Sequence, residues 1–144
     1  MGCVNERPPL DEEEYSRWRQ EADRALAAAH VQAEAGLHNW SCFAAEQAAQ
    51  LAMKALLHGV GRGPWGHDLP RFADMAGEAG IKVSGEVIDA MRRLGRHYIP
   101  ARYPDAHAAG PPGAHYGEAD ADEALRDSAL ILAFVDGAWE SLRG

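Results

Sequence analysis

Apolar residues recur at three- and four-residue spacing through most of the chain, and no segment alternates apolar with polar as a half-buried strand does. That pattern confines the fold to helices packed on helices. Tyr15, Trp18, Ala22, Ala25, Leu26 and Ala29 make one such face. It begins behind Asp11-Glu12-Glu13-Glu14, acids suited to the positive end of a helix dipole, and stops at Gly36, placed for a left-handed C-cap. A second helix is predicted from about Asn39 to Leu57, with Trp40, Phe43, Ala44, Gln47, Ala48, Leu51, Ala52, Ala55 and Leu56 on its buried stripe. Its alanines imply close approach of neighbouring helices. Gly59, Gly61, Gly63 and Pro64 form the break after it.

A third helix, about Asp68 to Glu78, carries Leu69, Phe72, Ala73 and Ala76, with Pro70 in its first turn and Gly80 behind it. Ser84 is placed to cap a fourth, whose face is Val87, Ile88, Met91 and Leu94. An irregular stretch from Tyr98 to Gly117 precedes the last helix, about Glu118 to Leu142, with Ala121, Leu125, Ala129, Leu132, Val135, Trp139 and Leu142. The expected fold is all-α: an up-and-down four-helix bundle with an additional short helix. Residues 1–10, with Pro8-Pro9, are expected to be a flexible leader, and 11–144 a single domain, since 144 residues is one domain's worth.

Charge narrows the function. Fourteen basic residues stand against 22 acidic ones, a net charge of −8. A chain of that sign does not coat nucleic acid or anionic membrane by bulk charge, so such binding needs a local patch. One segment offers it. From Arg92 to His107 there are four arginines and one acid, a local charge of +3, with Tyr98 and Tyr103 interleaved. Arginine presents a forked donor and tyrosine a stacking face, a combination that suits a phosphate or a base bearing one. The candidate ligand-binding residues are Arg92, Arg96, His97, Tyr98, Arg102, Tyr103 and Asp105. The plainer alternative is that Arg92, Arg93 and Arg96 only complement the dipole of the helix they end.

Other chemistry has less to stand on. None of the seven histidines forms a two-histidine helical zinc motif; His30 and His38 read as surface or loop-capping residues. No metal and no cofactor is expected. The run from Gly59 to Gly66 lacks the Lys-Ser/Thr ending of a phosphate loop, and Ser41 and Ser84 have no triad context. Asp120 and Asp122 read as a solvated helix start. Cys3 and Cys42 have no neighbouring thiol, which fits a reduced, cytoplasmic setting. The first residues hold no apolar signal core, Glu6 stands where N-myristoylation asks for Ser or Thr, and no apolar run is long enough to span a bilayer.

Four fragments taken in order carry a resemblance. They are Phe43-Ala44-Ala45-Glu46-Gln47-Ala48-Ala49-Gln50-Leu51-Ala52-Met53-Lys54-Ala55-Leu56-Leu57, Gly66-His67-Asp68-Leu69, Tyr98-Ile99-Pro100-Ala101-Arg102-Tyr103-Pro104-Asp105, and Tyr116 ahead of the last helix. Together they resemble the HEPN family of helical nucleotide-binding domains, over about residues 12–142. The resemblance implies a helical bundle that pairs into a C2 homodimer. It implies a minimal nucleotidyltransferase as a companion in two-gene toxin–antitoxin modules. Many family members are metal-independent ribonucleases whose Arg, four to six residues, His motif is assembled at the dimer interface. Arg102 and His107 have that spacing, as do Arg92 and His97. The sequence departs from the ribonuclease pattern in placing Tyr103 after the arginine and Pro104 within the motif, where it interrupts a helix.

Three functions follow from this resemblance. The first is binding of a nucleotide or RNA through Arg102, Tyr103 and His107. The second is a ribonuclease in which His107 moves a proton and Arg102 stabilises charge on phosphorus. The third is a non-catalytic dimeric partner-docking module, with Arg102 paired to Asp105 or to an acid of the last helix.

Overall fold

The first helix starts where its acids place it. The Asp11 carboxylate accepts the Glu14 amide at 3.0 Å, and α1 runs from Glu12 to Glu34. Gly36, at φ 78°, turns the chain into α2, His38–Gly59. The remaining helices are α3, Leu69–Glu78, α4, Gly85–Gly95, and α5, Glu118–Arg143. Ser84 caps α4 by accepting the Val87 amide, and Gly80, at φ 85°, follows the end of α3. Single 3-10 turns occur at Pro104–Ala106 and Pro112–His115. These elements come from a computed structural model that describes residues 9–144, and no strand occurs among them. Residues 1–8, with most of the expected leader and the Gly2 and Cys3 readings, lie outside the described residues. Leu10 packs on the core, and the Asp11 N–H donates to the Gly59 carbonyl at 2.8 Å.

The architecture is the expected all-α one, with α1, α2, α4 and α5 as the bundle and α3 as the short addition. α2 lies at its centre and packs against α1, α3, α4 and α5. Small side chains make this possible. Ala45, Ala48, Ala49, Ala52 and Ala55 are fully buried, and Ser41 and Ser128 close their hydroxyls on the Ala29 and Ala45 carbonyls at 2.8 Å.

The stripe expected on α2 needs correction. Trp40 is 42% exposed, and Gln47 and Leu51 are only half-buried. Glu46 and Gln50 are buried in their place, beside Met53 and Leu57. A helix enclosed by several neighbours has no broad solvent face, so a single 3.6-residue stripe no longer identifies what is inside.

Candidate functional site

The arginine-rich segment leaves α4 and turns back over the first turns of α2. Ala101 is buried, and the Asn39 amide donates to its carbonyl at 3.0 Å. This tether from the start of α2 places the next residue, Arg102, against aromatic rings. Its Nε donates to the Tyr98 carbonyl at 2.9 Å. Its guanidinium carbon lies 4.3 Å from the Phe43 ring centre, 4.5 Å from Tyr98 and 4.9 Å from Tyr103. The expected pairing of Arg102 with Asp105 or an acid of α5 does not form; among the described residues no carboxylate pairs with it. The rings and one carbonyl hold the side chain, while Asp105 sits exposed on the 3-10 turn. The result is a half-buried cation with its terminal nitrogens uncommitted.

The other candidate residues divide. Arg92 and Arg96 are exposed, and Arg92 has only a long 3.4 Å contact with Asp89 beside it. With His67, Tyr98, Pro70 and Met91 they line a cleft of about 610 Å³ between the start of α3 and the end of α4. That volume lies within the roughly 300–1,000 Å³ of small-molecule sites. Tyr98 joins this cleft to the Arg102 cage. Tyr103 is 46% exposed at the cage's outer edge.

Arg93, in contrast, leaves the patch. Its guanidinium forms a fork on Asp127 of α5, at 2.9 and 3.0 Å. His97 is interior, its Nδ1 2.9 Å from the Tyr116 hydroxyl, and desolvation holds its pKa below the ordinary histidine value. His107 turns to its own loop. Its Nε2 is 2.7 Å from the Pro100 carbonyl, and its ring stacks on His115 at 4.2 Å. Arg102 and His107 therefore share no hydrogen bond or stacking partner.

Sequence reasoning missed a polar chain beneath this surface. Glu46 is fully buried and accepts hydrogen bonds from the amides of Gln47 and Gln50. Desolvation pushes its carboxyl up to about 7, against the opposing pull of those hydrogen bonds and of the Arg102 and Lys54 charges. The Gln50 side-chain oxygen faces His67 Nδ1 at 3.3 Å, and the His67 ring stacks on Tyr98 at 4.5 Å. The available signal was the spacing of Glu46 and Gln50, one helical turn apart within an alanine-rich helix.

Among the described residues, no group of three or more His, Cys, Asp or Glu is arranged to hold a metal, and no helix is long and apolar enough to cross a membrane.

Comparison with known proteins adds to this geometry. The family model described as the HEPN domain matches residues 15–138. A solved structure of TT1696 from Thermus thermophilus is 37% identical, with a TM-score of 0.81, covering 86% of this chain and 97% of that one. ST0689, described as an archaeal HEPN homologue, is 29% identical with a TM-score of 0.73, covering 85% of this chain and 95% of that one. A HEPN domain protein from Thermotoga maritima shares the fold at 22% identity and a TM-score of 0.70, covering 86% of this chain and 98% of that one. No curated protein matches the chain.

Proposed function

The chain belongs to the HEPN domain family, and from that premise we propose that it binds a nucleotide or RNA at the surface formed by Arg102, Tyr98, Arg92 and Arg96. The observation that carries this reading is the state of Arg102. An arginine supported on three rings, with no carboxylate hydrogen-bonded to it and the buried Glu46 felt only through its charge, is a donor fork kept in place for an anion brought from outside. Arg92 and Arg96 add positive charge along the cleft, and the exposed Tyr103 offers a face for a base. In an otherwise acidic molecule this is the local patch that phosphate binding needs.

Titration of a short fluorescent RNA tests the reading. Affinity is expected to weaken steeply as salt rises, because cations compete for the same phosphates. Arg102→Ala is expected to weaken binding about tenfold or more, the loss of one charge-assisted fork. The Arg102→Lys variant keeps the charge but not the fork, and is expected to recover only part of the affinity. Salt-independent binding, or full affinity in Arg102→Ala, contradicts the proposal.

The ribonuclease alternative through Arg102 and His107 draws no support from the contacts of these two side chains, which lead in different directions. A C2 homodimer and a nucleotidyltransferase companion remain part of the proposal. Support for an association surface is the set of large apolar side chains left in solvent: Val31, Leu37, Trp40, Trp65 and Ile99, with Trp65 76% exposed. Light scattering at micromolar concentration is expected to give twice the 15.6 kDa chain mass. A monomer mass contradicts the dimer.

A further inference from the structure

His67 is held from behind. The Glu46 carboxylate takes amide hydrogens on both of its oxygens, one from Gln47 and one from Gln50. Gln50 therefore turns its nitrogen toward Glu46 and its oxygen toward His67. An amide oxygen only accepts, so in the neutral ring the hydrogen resides on Nδ1, 3.3 Å away. Nε2 is left with its lone pair, and no described residue hydrogen-bonds it. The ring is also fixed in plane, stacked on Tyr98 with 20° between the two. His67 lines the cleft together with Arg92 and Arg96, whose two positive charges outweigh the single acid there, Asp68.

We propose that His67 is a specificity-determining residue of this site, its Nε2 accepting a hydrogen bond from a ribose 2′-hydroxyl, so that the cleft prefers RNA to DNA. The inference rests on the nucleotide-binding reading above. A lone pair fixed in place selects a ligand that brings a donor, and the 2′-hydroxyl is the donor closest to phosphate in a nucleic-acid chain. It is also the one group that separates RNA from DNA throughout the strand. The spacing suits it. His67 and the Arg102 guanidinium each lie 4.5 Å from the Tyr98 ring centre, so no more than 9 Å separates them. One ribose and its adjoining phosphate can then reach both. A base amino group could also donate to Nε2, but it is present in DNA as well.

The test is anisotropy titration of the full chain with three labelled strands of one sequence: RNA, its 2′-O-methyl form, and DNA. The unsubstituted protein is expected to bind RNA about fivefold more tightly than the other two, the effect of one net hydrogen bond. His67→Ala is expected to bring RNA affinity down to the DNA level. Thermal melting of this exposed-residue variant checks that the fold is retained. Equal binding of all three strands by the unsubstituted protein overturns the role of His67 while leaving the binding site standing, provided Arg102→Ala still loses affinity. An RNA preference that survives His67→Ala overturns it too, as does an equal loss for RNA and DNA, which would assign Nε2 to a base. Absence of binding to any strand at low salt overturns the parent reading and this inference together.

Discussion

Replacing Glu46 with Gln is expected to make the protein progressively more stable than the unsubstituted chain as pH rises from 4.5 to about 7. The sign follows from the buried carboxyl. Its ordinary value is 4.5, and burial raises it to about 7 in the folded state. Below pH 4.5 both states hold the proton, and the group is neutral throughout. Between 4.5 and 7 the unfolded chain releases its proton while the folded one retains it, which draws the equilibrium toward unfolding. Above 7 both states are ionised, and the penalty is constant at about 3 kcal/mol. Glutamine cannot ionise, so the difference in stability between the two proteins should grow by about that amount across this window. Its oxygen can still accept from Gln50, and the half-buried Gln47 can turn to solvent. Urea denaturation of both proteins between pH 4 and 8 measures the difference. A constant difference would mean that the carboxyl titrates normally in the folded protein.

Gly59→Ala is expected to destabilise the fold by about 2 kcal/mol, although helix propensity by itself predicts a gain of about 1 kcal/mol from the same change. Gly59 is the last residue of α2, and a Cβ there would run into Cζ3 of Trp139 and lie 2.8 Å from its Cη2. The indole has little freedom to retreat. It is buried and stacked on Tyr15, with ring centres 4.0 Å apart and 5° between the planes. The end of α2 is also tied to the start of α1 by the Asp11 amide. Overpacking therefore outweighs propensity. Thermal melting should show a fall of about 6 °C for a chain of this size. Trp139→Phe removes the ring atoms that the methyl group meets, so the double variant should lose less than the sum of the two single changes. A more stable Gly59→Ala protein would show that the α2–α5 contact yields.

These two positions also show where the sequence is silent. Gly59 reads as part of a glycine-rich break, and its position against an indole 80 residues later is a matter of tertiary contact. Glu46 reads as a charge on an alanine-rich helix, with solvent the natural place for it. It is buried because α2 has neighbours on several sides. At the site, Arg92, Arg96, Tyr98, Arg102 and Tyr103 were legible as a charge concentration with interleaved rings. The diversion of Arg93 to Asp127 and of His97 to Tyr116 was not, since the fold brings each partner in from far along the chain.

By itself the sequence determined the helices and their ends, because periodicity, capping and left-handed glycines act within a few residues. Asp11, Gly36, Gly80 and Ser84 do what their local chemistry dictates. It also determined that positive charge would gather after α4. Only the tertiary structure decided which of those charges are kept for a ligand. Asn39 holds Ala101, and this sets Arg102 among Phe43, Tyr98 and Tyr103, with no carboxylate paired to it. Only the packing of α2 could bring Glu46 and Gln50 behind His67 and so set which of its nitrogens carries the lone pair. Burial and contact between distant residues are properties of the assembled bundle. They alter the strength of a charge and the direction of a hydrogen bond without leaving a mark on the local pattern.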